Sequence, residues 1–240
     1  LQLRGSLAEP TLALAARGHG LQGGVAEGPR AVDVTSVVEY APTTGRVRGT
    51  AVVEQAGKSL VAARVEGRVP SPFEPGVGDR VALRAAAMLN GAPLELLPLA
   101  ARERIQARLY GSIDLEKEPG EPLRQRAQLE IADLTAHDHV LGNGRLTYDN
   151  RHDGLRAHLR IGSSDHYLRA SVRGPAAGSA ADAPIEGSLA ARDFDAASLA
   201  PLTSGLLSRL GGSLNADLAF SMKPDPGSSW YLGIDGDATL

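Results

Sequence analysis

Apolar and polar residues alternate along most of this chain with a period of two. Leu155, Ala157, Leu159 and Ile161 point one way while Arg156, His158 and Arg160 point the other, the pattern of a strand with one dry and one wet face. The same reading covers Ile105-Ala107-Leu109, Ile113-Leu115, Ala127-Leu129-Ile131 and Leu168-Ala170-Val172. It extends to Ile185-Gly187-Leu189-Ala191, Leu214-Ala216-Leu218-Phe220-Met222 and Trp230-Leu232-Ile234, and less cleanly to Leu12-Leu14, Val47-Ala51-Val53, Val61-Ala63-Val65 and Val81-Leu83 in the first half. Turn chemistry separates the runs, as at Pro42-Thr43-Thr44-Gly45, Ala56-Gly57-Lys58, Pro119-Gly120-Glu121-Pro122, Gly142-Asn143-Gly144 and Asp225-Pro226-Gly227. Links this short join antiparallel neighbours, so the chain predicts a dozen or more strands in succession. Gly18 to Arg30, Val69 to Asp79 and Gly174 to Pro184 read as extended loops.

Two segments depart from the alternation. Pro93 to Arg104 and Asp195 to Leu210 carry apolar residues at helical offsets, the second headed by an Asp suited to an N-cap. Each is expected to be a short helix that feeds an alternating strand. Both share Leu-x-Pro-Leu (Leu96-Leu97-Pro98-Leu99; Leu199-Ala200-Pro201-Leu202), a Gly-Ser-aliphatic strand and a Pro-Gly turn, which suggests degenerate repeats over about 93–192 and 195–240. A smaller recurrence, Gly-x-aliphatic at Gly5, Gly111, Gly144, Gly187 and Gly212, reads as glycine at strand entry, where it permits a bulge or bend.

Composition narrows the class. Hydrophobic residues make up 42%, charged ones 22% and aromatics only 4%, an ordered chain whose apolar content is aliphatic. With 28 Gly and 15 Pro among 240 residues, an all-helical protein is excluded. A net charge of −3 supplies no overall basic field for nucleic acid. The absence of cysteine removes disulfides, thiolate nucleophiles and Cys-type zinc sites. No run approaches a membrane-spanning helix, and the start at Leu1-Gln2-Leu3-Arg4 reads as a piece of a longer protein.

Candidate chemistry is sparse. Gly18-His19-Gly20-Leu21-Gln22-Gly23 matches a dinucleotide fingerprint, but Gly24-Val25-Ala26-Glu27-Gly28-Pro29 cannot supply the helix N-terminus that a pyrophosphate needs, so it reads as a loop. His137 and His139 share a strand face and could hold a metal with a neighbouring carboxylate, although no Glu follows them at cupin spacing; a solvated face is the plainer reading. Arg156, Arg160, Arg169 and Arg173 form a basic stripe over two adjacent strands, without the aromatics that stack single-stranded bases. Nucleophile and phosphate-loop motifs are missing, so the expectation is a non-enzyme without cofactor.

A long apolar sheet face must be buried, and two short helices cannot cover a dozen strands. The choices are a sandwich, a barrel or a sheet folded lengthwise into a trough. An aliphatic trough poor in aromatics accepts acyl chains, at about 0.8 kcal/mol per buried methylene. The stretch from Leu199-Ala200-Pro201-Leu202 to Leu210-Gly211-Gly212-Ser213-Leu214-Asn215-Ala216-Asp217-Leu218, and the opening Leu3-Arg4-Gly5-Ser6-Leu7-Ala8-Glu9-Pro10-Thr11-Leu12, resemble the TamB (translocation and assembly module) and AsmA-like proteins. That resemblance implies a mainly β, curled antiparallel sheet, a repeating β-groove or β-taco with two short helices, with 1–240 as one segment of a periplasmic protein anchored in the inner membrane. It further implies phospholipid transport between inner and outer membranes. In the alternative reading the chain is a scaffold that assembles outer-membrane proteins such as autotransporters with a TamA-like barrel partner, through strand augmentation. The expected acyl-chain lining is Ile105, Ala107, Leu109, Ile113 and Leu115, then Leu129, Ile131, Leu155, Leu159, Ile161, Leu168 and Val172. Leu189, Leu214, Leu218, Phe220, Trp230, Leu232 and Ile234 complete it.

Overall fold

A computed structural model describes residues 2–5, 10–21, 31–70, 77–96, 100, 104–136, 139–176, 184–196, 211–224 and 230–239. Fourteen strands follow one another: β1 Gln2–Gly5, β2 Pro10–Leu21, β3 Val32–Ala41, β4 Arg46–Gln55, β5 Lys58–Arg68, β6 Ala82–Pro93 and β7 Ile105–Lys117. Then come β8 Arg124–Ala136, β9 His139–Arg151, β10 Gly154–Gly162, β11 Tyr167–Gly174, β12 Ile185–Asp195, β13 Ser213–Pro224 and β14 Trp230–Thr239. They pair in chain order in a single antiparallel sheet with β1 and β14 at its two edges, so the sheet is open. Tight links enforce this order. Ala56 and Gly57 join β4 to β5 with φ of 48° and 75°, the doubly left-handed geometry that matches strand twist in a two-residue hairpin.

The register converts the alternation into two continuous faces. One row runs from Val34 through Val53, Val61, Leu89, Gly111, Leu129, Leu146, Leu159, Ala170 and Leu189 to Leu218, each directly opposite the next. On the other face Glu39, Arg48, Glu66, Arg84, Glu116 and Arg124 form a ladder of alternating sign across β3 to β8, the favourable cross-strand arrangement.

Burial is concentrated at one end of the strands. Ala107, Leu134, Ile161, Ala191 and Phe194 form one buried cluster, and Val32, Leu60, Ala92 and Leu109 a second. Both lie where β3, β5 and β7 begin and β6, β8, β10 and β12 end.

Bulges recur at that same end. The pairing shifts between Gly18 and Leu21, between Asn90 and Ala92, between Ile131 and Leu134, and between Ala191 and Phe194. A left-handed residue sits in each: Gly20, Gly91, Asp133 and Asp193, with φ of 63°, 74°, 54° and 43°. Three of these share one device, an Asp or Asn of the following strand that accepts the bulge N–H. Gly20 donates to Asp33 Oδ1 at 3.0 Å, Asp133 to Asn143 Oδ1 at 3.1 Å and Asp193 to Asn215 Oδ1 at 3.0 Å.

Three expectations need correction. The described ends of the two expected helices are not α-helical, although Ala100 is: Pro93 ends β6, Leu94–Leu96 make a single 3-10 turn, and Asp195 ends β12. Leu94 and Leu96 instead pack on the second buried cluster; residues 97–99, 101–103 and 197–210 lie outside the described residues. Gly18 to Leu21 belong to β2, not to a loop. Gly111 and Gly144 lie inside β7 and β9 rather than at strand entry, where a Cβ on Gly111 would meet the Gln128 carbonyl oxygen at 2.0 Å.

Candidate functional site

Sixteen of the nineteen expected lining residues share the apolar face; for Trp230, Leu232 and Ile234 the backbone register alone is described. Ile105, Ala107, Leu109, Ile113 and Leu115 lie along β7, Leu129 and Ile131 on β8, and Leu155, Leu159 and Ile161 on β10. Leu168, Val172, Leu189, Leu214, Leu218 and Phe220 continue the face over β11 to β13. The β14 register sets Ile234 opposite Phe220, Leu232 opposite Met222 and Trp230 opposite Pro224. At the bulged end the face is packed: Ile161 is 7% exposed and Phe194 5%. Towards the opposite end Leu115 keeps 38% exposure, and on β2 Leu14 keeps 53%. The accessible surface totals 15674 Å², against roughly 10,000 Å² for a compact monomer of this mass.

Polar groups interrupt this face at the open end. Gln125 stands opposite both Leu115 and Asn150. Asn150, only 1% exposed, donates through Nδ2 to the Leu123 carbonyl at 3.3 Å, and the Tyr148 hydroxyl donates to Gln125 Oε1 at 3.3 Å. At the packed end one carboxylate oxygen of Glu95 is buried without a hydrogen-bond partner.

Period-two counting missed Leu60, Ala92, Leu134 and Phe194. Each lies at a register shift, where an extra residue returns the side chain to the dry face that strict alternation denies it. The left-handed Asp133 and Asp193, each with an Asn ten or more residues later, are the sequence trace of these bulges.

Two cavities lie on the polar face. One of about 580 Å³ is lined by Asp114, Glu116, Arg124, Arg126, Asp149 and Arg151. There the Asp149 carboxylate bonds Arg151 and holds its guanidinium above its ordinary pKa. The other, about 830 Å³, is lined by Arg156, His158, Ser171, Arg173, Glu186, Ser188 and Ser221, with Val172 and Phe220 the expected lining residues that reach it. His137 lies outside the described residues. His139 is exposed at the start of β9, and among the described residues no group of three His, Asp or Glu could hold a metal ion. His166 contacts Asp193 at 2.7 Å, and Ser213 donates to the other oxygen of the same carboxylate. The hydroxyl and the imidazole thus both go to Asp193, an arrangement that fixes a bulge rather than activating a nucleophile. No described helix is long and apolar enough to cross a membrane. No family model, curated protein or solved structure matches the chain.

Proposed function

We propose that this chain is a segment of a TamB- or AsmA-like envelope protein whose apolar sheet face carries phospholipid acyl chains between membranes. In this reading the sheet curls along its length into a groove. The observation that carries the proposal is the unbroken apolar row from Val34 to Leu218, with no second layer over it among the described residues. Curling is favoured by the buried cluster that joins Ala107 of β7, Leu134 of β8, Ile161 of β10 and Phe194 of β12, since alternate strands of a flat sheet stand about 9.6 Å apart. Water at a face of this size costs more than acyl chains do: each methylene transferred to it is worth about 0.8 kcal/mol. The polar residues Gln125 and Asn150 mark where the dry surface gives way to a wetter rim.

Native mass spectrometry with lipid extraction tests this. Phospholipid should copurify with the wild type and be lost from Leu115→Asp and Leu218→Asp while circular dichroism stays that of a sheet. A lipid-free, monodisperse wild type would overturn the reading. The second reading, a scaffold that captures a barrel partner's strands, rests on the unpaired outer sides of β1 and β14. Capture of a strand peptide by the β14 edge, unaffected by Leu115→Asp, would favour it.

A further inference from the structure

Like charges stand opposite each other at Arg46 and Arg68 of β4 and β5, but among the described strand pairs β10 and β11 carry two such Arg pairs on the polar face. The ladder from Glu39 to Arg124 alternates without fault. The next ladder also begins in alternation, with Asp114 opposite Arg126, then Asp149, then Arg156. There the sign fails to change: Arg156 stands opposite Arg173. Two residues further on, His158 faces Ser171, and two beyond that Arg145, Arg160 and Arg169 stand in one row. Residues 154–174 hold four Arg against one Asp, a balance of +3 that leaves −6 for the rest of a chain whose total is −3.

Directly opposed like charges, about 5 Å apart at Cβ, are destabilising. Here they are only partly relieved from within. Arg173 pairs with Glu186 at 2.8 Å and Arg156 with Asp153 at 3.3 Å, but Arg160 donates to the Ser163 carbonyl instead. Arg160 and Arg169 both lie over the Tyr167 ring, at 5.3 and 5.5 Å from its centroid, which holds two guanidiniums together without neutralising either. The two Arg pairs are about 13 Å apart along the strands, with His158 and Ser171 between them. The 830 Å³ cavity opens on this ground, where Ser171 and Ser188 hydroxyls lie 2.7 Å apart.

We propose that the polar face of β10 and β11 binds a phosphate-bearing ligand in the 830 Å³ cavity, its oxygens taken by the paired guanidiniums Arg156/Arg173 and by the Ser171 and Ser188 hydroxyls, with Arg160 and Arg169 outside the cavity adding to the positive field. Guanidinium forks match phosphate geometry, and a bound dianion removes the repulsion that the register imposes. This site is on the opposite side of the sheet from the acyl-chain face and stands or falls separately from it. Phosphate of this kind comes either from a soluble phosphate ester or from a lipid headgroup, and two probes tell them apart.

The 240-residue chain is titrated calorimetrically with glycerol 3-phosphate and, separately, sedimented with vesicles of phosphatidylglycerol in phosphatidylcholine against phosphatidylcholine alone. Binding to the soluble ester identifies a small organic phosphate; binding to anionic vesicles alone identifies a headgroup. In either case the variant R156Q/R160Q/R169Q/R173Q loses on the order of a hundredfold or more in affinity, at about fivefold per charge. The control R46Q/R68Q removes the Arg46–Arg68 pair of β4 and β5 and stays within threefold of wild type. The double variant R156Q/R173Q gives the same reading if the fourfold one does not fold. No binding to either probe, or equal loss in the control, overturns the proposal.

Discussion

Asp133 and Asp193 carry a conformation that few residues other than glycine accept, φ of 54° and 43°, and each N–H is received by an Asn side chain of the next strand. Asp tolerates the left-handed region because its short polar side chain bonds locally; a β-branched residue there pays steric strain. Asp133→Val should therefore lower unfolding free energy by about 1–2 kcal/mol, and Asp133→Asn by less than about 0.5 kcal/mol, read from urea midpoints. Asp193 also has a titration to follow. The Ser213 hydroxyl, and to a smaller extent the His166 charge, hold its carboxyl below the ordinary value of 3.8, with desolvation opposing them. A depressed carboxylate contributes stability above its unfolded pKa and loses it as pH falls through the folded value. A carbon-detected pH titration should place the Asp193 midpoint below 3.8, and Ser213→Ala should move it upward. None of this was legible from alternation, because a bulge is the point at which a period of two stops counting correctly. Phe194 and Leu134 fell on the wet face for that reason.

The strands themselves were legible, since each needs only its own alternation and the turn that follows. The expected helices do not begin where their apolar offsets suggest. In Pro93 to Arg104 the offsets are real, but Leu94 and Leu96 are placed by contact with Val32, Leu60, Ala92 and Leu109 rather than by a helical stripe. The bulged end holds both buried apolar clusters, whereas Leu14 and Leu115 towards the far end keep 53% and 38% exposure. Phe194→Ala, at 5% exposure, is expected to cost about 3–5 kcal/mol. Leu115→Ala, at 38% exposure, should cost less than about 1 kcal/mol. Chemical denaturation of both variants measures the contrast, and equal losses would mean that the apolar face is packed to the same degree along its whole length.

Chain order became sheet order because no connection crosses another strand, and short turns in the sequence announce that. The proposed function rests on resemblance: the apolar residues that would hold acyl chains are the same residue types that fill any β core, and composition does not distinguish the two. The distinction lies in what faces them, which is a property of the whole molecule. Fourteen strands in one layer extend about 62 Å in the pairing direction when flat, and the accessible surface of 15674 Å² is about half again that of a compact chain. A globule of 240 residues has a radius of gyration near 18 Å. A flat single-layer sheet of these dimensions should give about 20 Å or more by small-angle X-ray scattering, and curling lowers that value. Ligand then becomes visible in shape as well as mass. If the proposed acyl chains seat along the dry face of a curled sheet they add material at its centre, so delipidation should change the contrast profile without shortening the particle's longest dimension. A value near 18 Å would exclude the flat layer, and the presence or absence of bound lipid then decides between a curled groove and aliphatic rows that bury one another as an ordinary core.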